Sequence, residues 1–157
     1  MKSLVIYATT SGNTATVATA IADALRARGA VELLTADRAP STLPPVDLVV
    51  VGGPTEGHTM TASMRGFLER LEPSSVRATA AAAFDTRVNW PRLLSGSAAV
   101  GIAKKLTAAG ARIIRPPESF IVTTKPQLEA GEVDRAAAWA GEIAEVVEAS
   151  LLAPAAG

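Results

Sequence analysis

The 157-residue chain contains no cysteine. That absence excludes disulfides, thiolate metal sites, iron–sulfur clusters and every cysteine nucleophile. Histidine occurs once, at His58, so no multi-histidine metal site can be built. Aromatic residues are few: three Phe, two Trp and one Tyr. Neither sign of charge is in excess, with 15 basic and 15 acidic residues and a formal net charge of zero. That balance argues against nucleic acid or an anionic membrane as the main partner. No apolar run approaches the ~20 residues that a membrane-spanning helix needs. The short apolar segment after Met1-Lys2-Ser3 is too brief for a signal-peptide core, so a cytoplasmic location is expected.

What is present is an ordinary globular composition, 48% hydrophobic and 19% charged. The length predicts one domain, taken as residues 1–152 with a frayed tail at 153–157. A chain of this size buries about 70% of the surface that its unfolded form exposes. Charge is unevenly spread. Between Thr86 and Pro117 stand Arg87, Arg92, Lys104, Lys105, Arg112 and Arg115 with no acid among them, whereas from Pro126 onward Arg135 is the only base. Such a distribution suits either solvated faces or a docking patch.

Short apolar runs alternate with longer amphipathic stretches. Leu4 to Ala8 reads as a buried strand, and Val17, Ile21, Ala24 and Leu25 mark a helix over Thr14 to Arg28, stopped by Gly29. Val31 to Thr35 is a second strand, and Pro40, Pro44 and Pro45 mark a surface loop. Leu48 to Val51 is the strongest strand signal, ending in Gly52-Gly53-Pro54. Met64, Phe67, Leu68 and Leu71 form a helix face; Ala78 to Phe84 takes the next strand place; Ser97 to Ala109 is helical. Arg112 to Thr123 is a strand pair, or one strand interrupted by Pro116-Pro117, and Trp139, Ile143, Val146, Val147 and Leu151 line a last helix. Five strands thus alternate with four helices. Continuous rather than alternating apolar runs mean strands covered on both faces, hence a parallel sheet in a three-layer, doubly wound α/β sandwich.

In such a sheet ligands bind beyond the carboxyl ends of the strands. Three loops qualify: Thr9 to Thr14, Pro54 to Thr59, and Asp85 to Trp90. The first, Thr9-Thr10-Ser11-Gly12-Asn13-Thr14, joins a strand to a helix start. Hydroxyls, a glycine and free helix amides together suit an anion. The loop has no Lys or Arg, which fits an enclosed monophosphate better than a triphosphate. No Gly-x-x-x-x-Gly-Lys-Ser/Thr and no Gly-x-Gly-x-x-Gly occurs. Its alternative is a hydroxyl-rich helix cap with no ligand.

Thr-x-Ser-Gly-x-Thr after a first strand resembles the FMN phosphate loop of flavodoxins. The resemblance extends through Gly53-Pro54-Thr55-Glu56-Gly57 and Pro117-Glu118-Ser119-Phe120-Ile121-Val122, and is greatest to short-chain flavodoxins and flavodoxin-like domains. It implies strand order 2-1-3-4-5, for which flavodoxin is itself the standard example. It implies FMN as cofactor, its phosphate wrapped by Thr9, Thr10, Ser11, Gly12, Asn13 and Thr14. Pro54, Thr55, Glu56, Gly57 and His58 would line one side of the isoalloxazine. Phe84, Asp85, Thr86, Arg87 and the stretch to Trp90 would follow its other edge. The Gly57–His58 peptide matches the one that in flavodoxins accepts a hydrogen bond from reduced N5. A histidine there would act on the flavin's redox behaviour, or else point to water. Two features depart from the family pattern. Glu56 stands where the second loop commonly carries an aromatic, and the chain is neutral where flavodoxins are usually strongly acidic.

Tyr7, Phe67, Phe120 and Trp139 fall on buried faces by period and read as core. Trp90, beside Pro91, is either a cover for the flavin or packing under a loop. Asp85 and Arg87 are either a surface pair or flavin ligands. No Gly-x-Ser-x-Gly elbow is present. A receiver domain would need acids where Thr9-Thr10 stands, and a low-molecular-weight phosphatase would need a cysteine there. The leading reading is an FMN-containing electron carrier, expected to be monomeric, between a reductase and an acceptor enzyme. The alternatives are an FMN-dependent oxidoreductase acting on a small acceptor such as a quinone, and a flavin-free binding or regulatory module.

Overall fold

A computed structural model describes residues 1–155; of the expected tail, residues 156 and 157 lie outside the described part. The chain runs β1 (Lys2–Tyr7), α1 (Asn13–Arg26), β2 (Ala30–Thr35), β3 (Leu48–Pro54), α2 (Ala62–Arg70), β4 (Ala80–Val88), α3 (Arg92–Ser95), α4 (Ala98–Ala108), β5 (Arg112–Ile113), β6 (Glu118–Val122) and α5 (Glu132–Leu152). All ladders are parallel and the sheet order is β2-β1-β3-β4-β5, with β6 also on β4. The order 2-1-3-4-5 and the doubly wound architecture are therefore as expected.

Alternation along each strand divides the core into two layers. Leu4, Ile6, Val49, Val51, Ala81 and Ala83 face one cluster with Met64, Phe67, Ile102 and Leu106 of α2 and α4. Val5, Leu48, Val50, Ala82 and Phe84 face the other, with Val17 and Ile21 of α1 and Trp139 and Ile143 of α5. The central strands are buried on both sides, which is why their runs lack polar alternation. The four alanines of β4 leave room for helices to approach closely. Phe67, Phe120 and Trp139 are buried, and Tyr7 is partly so, packed against the second cluster.

The interrupted strand is as expected, and one boundary differs from that read in the sequence. β5 and β6 occupy one strand position: Ile113 pairs with Ala81 and Glu118 with Phe84, so the numbering offset grows from 32 to 34. Pro116 and Pro117 lie in the gap, where they lack the N–H that a ladder needs. β6 in turn holds β4 extended through Asp85, Thr86, Arg87 and Val88, residues expected to begin a loop. The third loop therefore starts at Asn89, and it carries the short helix α3, which no periodicity announced.

Candidate functional site

The carboxyl ends of β1, β3 and β4 open onto a cleft of about 310 Å³ lined by segments of all three loops. The first loop enters it through Ser11 and Asn13. Gly12, at φ 91, is the N-cap of α1 and supplies no side-chain cap, so the first-turn amides of the helix are left unclaimed. Within the loop Thr9 Oγ1 accepts the Gly12 N–H at 3.0 Å, and Ser11 Oγ accepts from Asn13 Nδ2 at 3.2 Å. Both oxygens are thus used as acceptors, which leaves their hydroxyl protons free to donate outward. Thr9, Thr10 and Ser11 are exposed, and nothing lies within 4 Å of where a Gly12 Cβ would be. Thr14 differs. It is buried, and its Oγ1 lies 2.7 Å from Thr86 Oγ1, tying the helix start to β4.

The second loop closes as a two-residue turn. Glu56 N–H donates to Thr59 O at 2.8 Å and Thr59 N–H returns to Glu56 O at 3.1 Å. Between them Gly57 and His58 both have positive φ, 52 and 71, as in a type I′ turn. His58 is one of two non-glycine residues at positive φ among those described. Its side chain is exposed at the cleft, and its backbone bridges in parallel to Gly96. Pro54, Thr55, Glu56, Gly57 and His58 all line the cleft.

The third segment divides. Thr86, Arg87 and Trp90 line the cleft. Trp90 is 55% exposed and its carbonyl accepts from Arg87 Nη1 at 2.6 Å, so the indole stands at the mouth rather than beneath a loop. Phe84 and Asp85 do not reach the cleft, which corrects their expected place at its edge. The Phe84 ring turns into the core against Phe120 and Trp139, at centroid distances of 6.1 and 6.3 Å, and seats over Gly52, where a Cβ would strike it. Asp85 points to the opposite layer. Its Oδ2 accepts from Ser97 Oγ at 2.6 Å, Ala99 N–H at 3.0 Å and Thr55 Oγ1 at 3.2 Å, so it caps α4 rather than forming a surface pair with Arg87. Thr55 Oγ1 accepts from Ala98 N–H at 2.8 Å in the same cluster.

Val88, Leu94, Ser95 and Val122 also line the cleft and were not singled out in the sequence. Val88 and Val122 pair across β4 and β6, which the Pro117 to Val122 stretch foreshadowed; Leu94 and Ser95 ride on α3, a helix that no periodicity announces. Among the described residues no group of three His, Asp or Glu side chains comes together to hold a metal ion. Nor, among them, is any helix long and apolar enough to cross a membrane.

No curated protein sequence matches the chain. Among solved structures it is similar to a flavodoxin from the domain Archaea (24% identity, TM-score 0.76, covering 94% of this chain and 99% of that one). It is similar to oxidised flavodoxin 1 from Bacillus cereus (22%, TM-score 0.78, 92% and 98%). The rubredoxin oxygen:oxidoreductase from Desulfovibrio gigas also matches (19%, TM-score 0.78), but over 97% of this chain and only 37% of that one. At these identities the structures speak for the fold. The flavodoxin family model, however, matches residues 5–148, from the first strand to the last helix and across all three cleft loops, and on that ground the chain belongs to the flavodoxin family.

Proposed function

We propose that this protein binds one FMN and carries electrons between a reductase and an acceptor protein. The observation that carries the reading is the first loop: unclaimed α1 amides and outward-facing hydroxyls, without a cation, next to a cleft. The residues fit the group. Thr9, Thr10 and Ser11 would donate hydroxyl protons to the phosphate while the amides of the first α1 turn and the helix dipole stabilise its charge. Thr14 would contribute its backbone, its hydroxyl being committed to Thr86. The open space over Gly12 leaves the phosphate room at van der Waals distance. The ring would lie in the cleft between the 54–59 turn and the Arg87–Trp90 segment, with Trp90 as one wall and the Gly57–His58 peptide at its edge. FMN, when bound, supplies the capacity to take up and release electrons singly or in pairs. The chain's part is to hold the cofactor and shield one side of it. Family membership supports an electron-transfer role.

Fluorescence titration tests this. Wild type should bind one FMN per chain and riboflavin more weakly. Thr10→Ala combined with Ser11→Ala should weaken FMN much more than riboflavin. Each charge-assisted hydroxyl–phosphate bond is worth about 1.5–3 kcal/mol, or about ten- to a hundredfold in affinity. An equal loss for both ligands would overturn the assignment.

A further inference from the structure

Beside the cleft the chain exposes a group of large apolar side chains on one short segment: Trp90 at 55%, Leu93 at 95% and Leu94 at 62%. They surround α3, a single turn whose sequence Arg92-Leu93-Leu94-Ser95 buries only Ser95. Leu93 and Leu94 therefore do not serve the core. Two guanidinium groups flank them. Arg87 Nε and Arg92 Nη2 converge on one oxygen, Ser119 Oγ, at 3.0 and 3.1 Å. Their remaining bonds go to neutral acceptors: carbonyls of Val88, Trp90 and Pro117, and Ser95 Oγ. Neither makes an ion pair among the described residues, and the nearby Glu118 is taken by Arg135 at 3.1 Å. Two like charges brought to one hydroxyl, with no carboxylate between them, lack a counter-ion. Exposed apolar side chains next to unneutralised cations mark a binding surface.

We infer that Trp90, Leu93 and Leu94, flanked by Arg87 and Arg92, form a docking surface for an acidic partner protein whose carboxylates surround an apolar hollow. That the partner exchanges electrons here rests on the proposed function, since Trp90, Leu94 and Arg87 also line the cleft. The surface itself does not depend on it. An anionic membrane is the less suitable occupant: three apolar side chains and two cations form a small contact on a chain of zero net charge. The apolar side chains would fill the hollow, and the N–H groups that these bonds leave over, on Arg87 Nη2 and on Arg92 Nε and Nη1, would donate to the partner's carboxylates.

The two tryptophans make the test direct, because Trp90 is exposed and Trp139 is 6% exposed in the core. The 15N-labelled protein as purified is titrated with the acidic soluble domain of cytochrome b5, and separately with the basic cytochrome c, while both indole N–H signals are followed. Cytochrome b5 should shift the Trp90 signal and leave Trp139 in place, with affinity falling as salt is raised from 20 to 200 mM. Arg92→Glu should weaken that affinity at least fivefold and strengthen binding of cytochrome c. Leu93→Asp, a change at a fully solvated position that does not threaten folding, should weaken cytochrome b5 at least threefold. Arg112→Glu, the same charge change at the opposite end of the sheet, should do neither. The inference is overturned if Arg92→Glu and Arg112→Glu act alike, if Arg92→Glu weakens both cytochromes, or if phosphatidylserine vesicles shift Trp90 while cytochrome b5 does not. None of these readings needs flavin, so a failure of FMN binding overturns the proposed function separately.

Discussion

Gly96 lies so close to His58 that a Cβ on it would fall on the His58 carbonyl oxygen, nearer than real Cβ atoms come. The two residues pair as a parallel bridge, and Gly96 itself has φ 71 and ψ −176, a conformation essentially confined to glycine. The segment after α3 thus presses on the turn that carries His58 at its own positive φ. Gly96→Ala should destabilise the fold by about 1–3 kcal/mol from backbone strain alone. Thermal unfolding should show it as a fall in Tm of about 2–4 °C per kcal/mol for a chain of this length. It should also displace the 56–59 turn and, on the proposed function, weaken FMN binding. A variant with unchanged Tm would mean that the turn does not depend on Gly96.

The same contact shows where sequence reading stops. Local patterns suffice for β1, β3 and α1, because buried runs and a 3.6-residue period are properties of neighbours along the chain. The first-loop residues are contiguous, so their juxtaposition needs no folding to be seen. Gly96 and His58 are brought together only by the pairing of β3, β4 and the chain after α3, and neither residue carries a pattern that points to the other. Phe84 failed as a cleft residue for a similar reason. Its side depends on the parity of β4, and an alanine run hides that parity. Asp85 reads in sequence as one of a surface pair or as a flavin ligand, because nothing along the chain shows that α4 begins on its carboxylate. Leu93 and Leu94 resemble a core pair by composition and are solvated in fact.

Thr14 and Thr86 should behave as one unit. Their hydroxyls lie 2.7 Å apart in a buried place, 72 residues apart in sequence. Thr14→Val or Thr86→Val alone leaves the other hydroxyl without its partner and should cost about 1–2 kcal/mol. The double variant should cost less than the sum, with a coupling of about 1 kcal/mol, measured by urea unfolding of all four proteins. Strict additivity would show that the pair is geometric rather than energetic.

Asp85 should matter through its acceptor capacity. Oδ2 takes three donors, from Ser97, Ala99 and Thr55, whereas buried Oδ1 has no partner. Asp85→Asn retains one oxygen for the three donors and should stay within about 1 kcal/mol of wild type. Asp85→Ala strands those donors and should cost about 2–4 kcal/mol, since each buried group left unpaired costs about 1–3 kcal/mol. Denaturant midpoints of the two variants decide. If alanine and asparagine are equally harmful, charge rather than acceptor capacity is what α4 requires.

Glu132 should make stability depend on pH in the acid range. Its carboxylate accepts from Arg135 Nη2 and Nε at 2.8 and 2.9 Å and from the Ile121 N–H at 2.6 Å, fastening the start of α5 to β6. Arg135 extends the cluster to Glu118 and covers the Phe120 ring at 4.5 Å. The hydrogen bond from Arg135 is the main reason that the Glu132 carboxyl is held below the ordinary glutamate value; the Ile121 N–H and the Arg135 charge add to it, against the opposing effect of burial. A folded-state value lowered in this way means that the unfolded chain takes up the proton first. Its stabilising contribution is therefore fully present above the unfolded glutamate value of about 4.3 and is lost as pH falls through the folded value. Glu132→Gln keeps an acceptor for Ile121 and removes the charge. The stability gap between wild type and this variant should be constant from pH 8 to about 5.5 and should close as pH falls towards 3.5. Urea midpoints at pH 7 and pH 3.5 measure it, and a gap of the same size at both would show that the carboxylate's charge contributes nothing to holding α5 on the sheet.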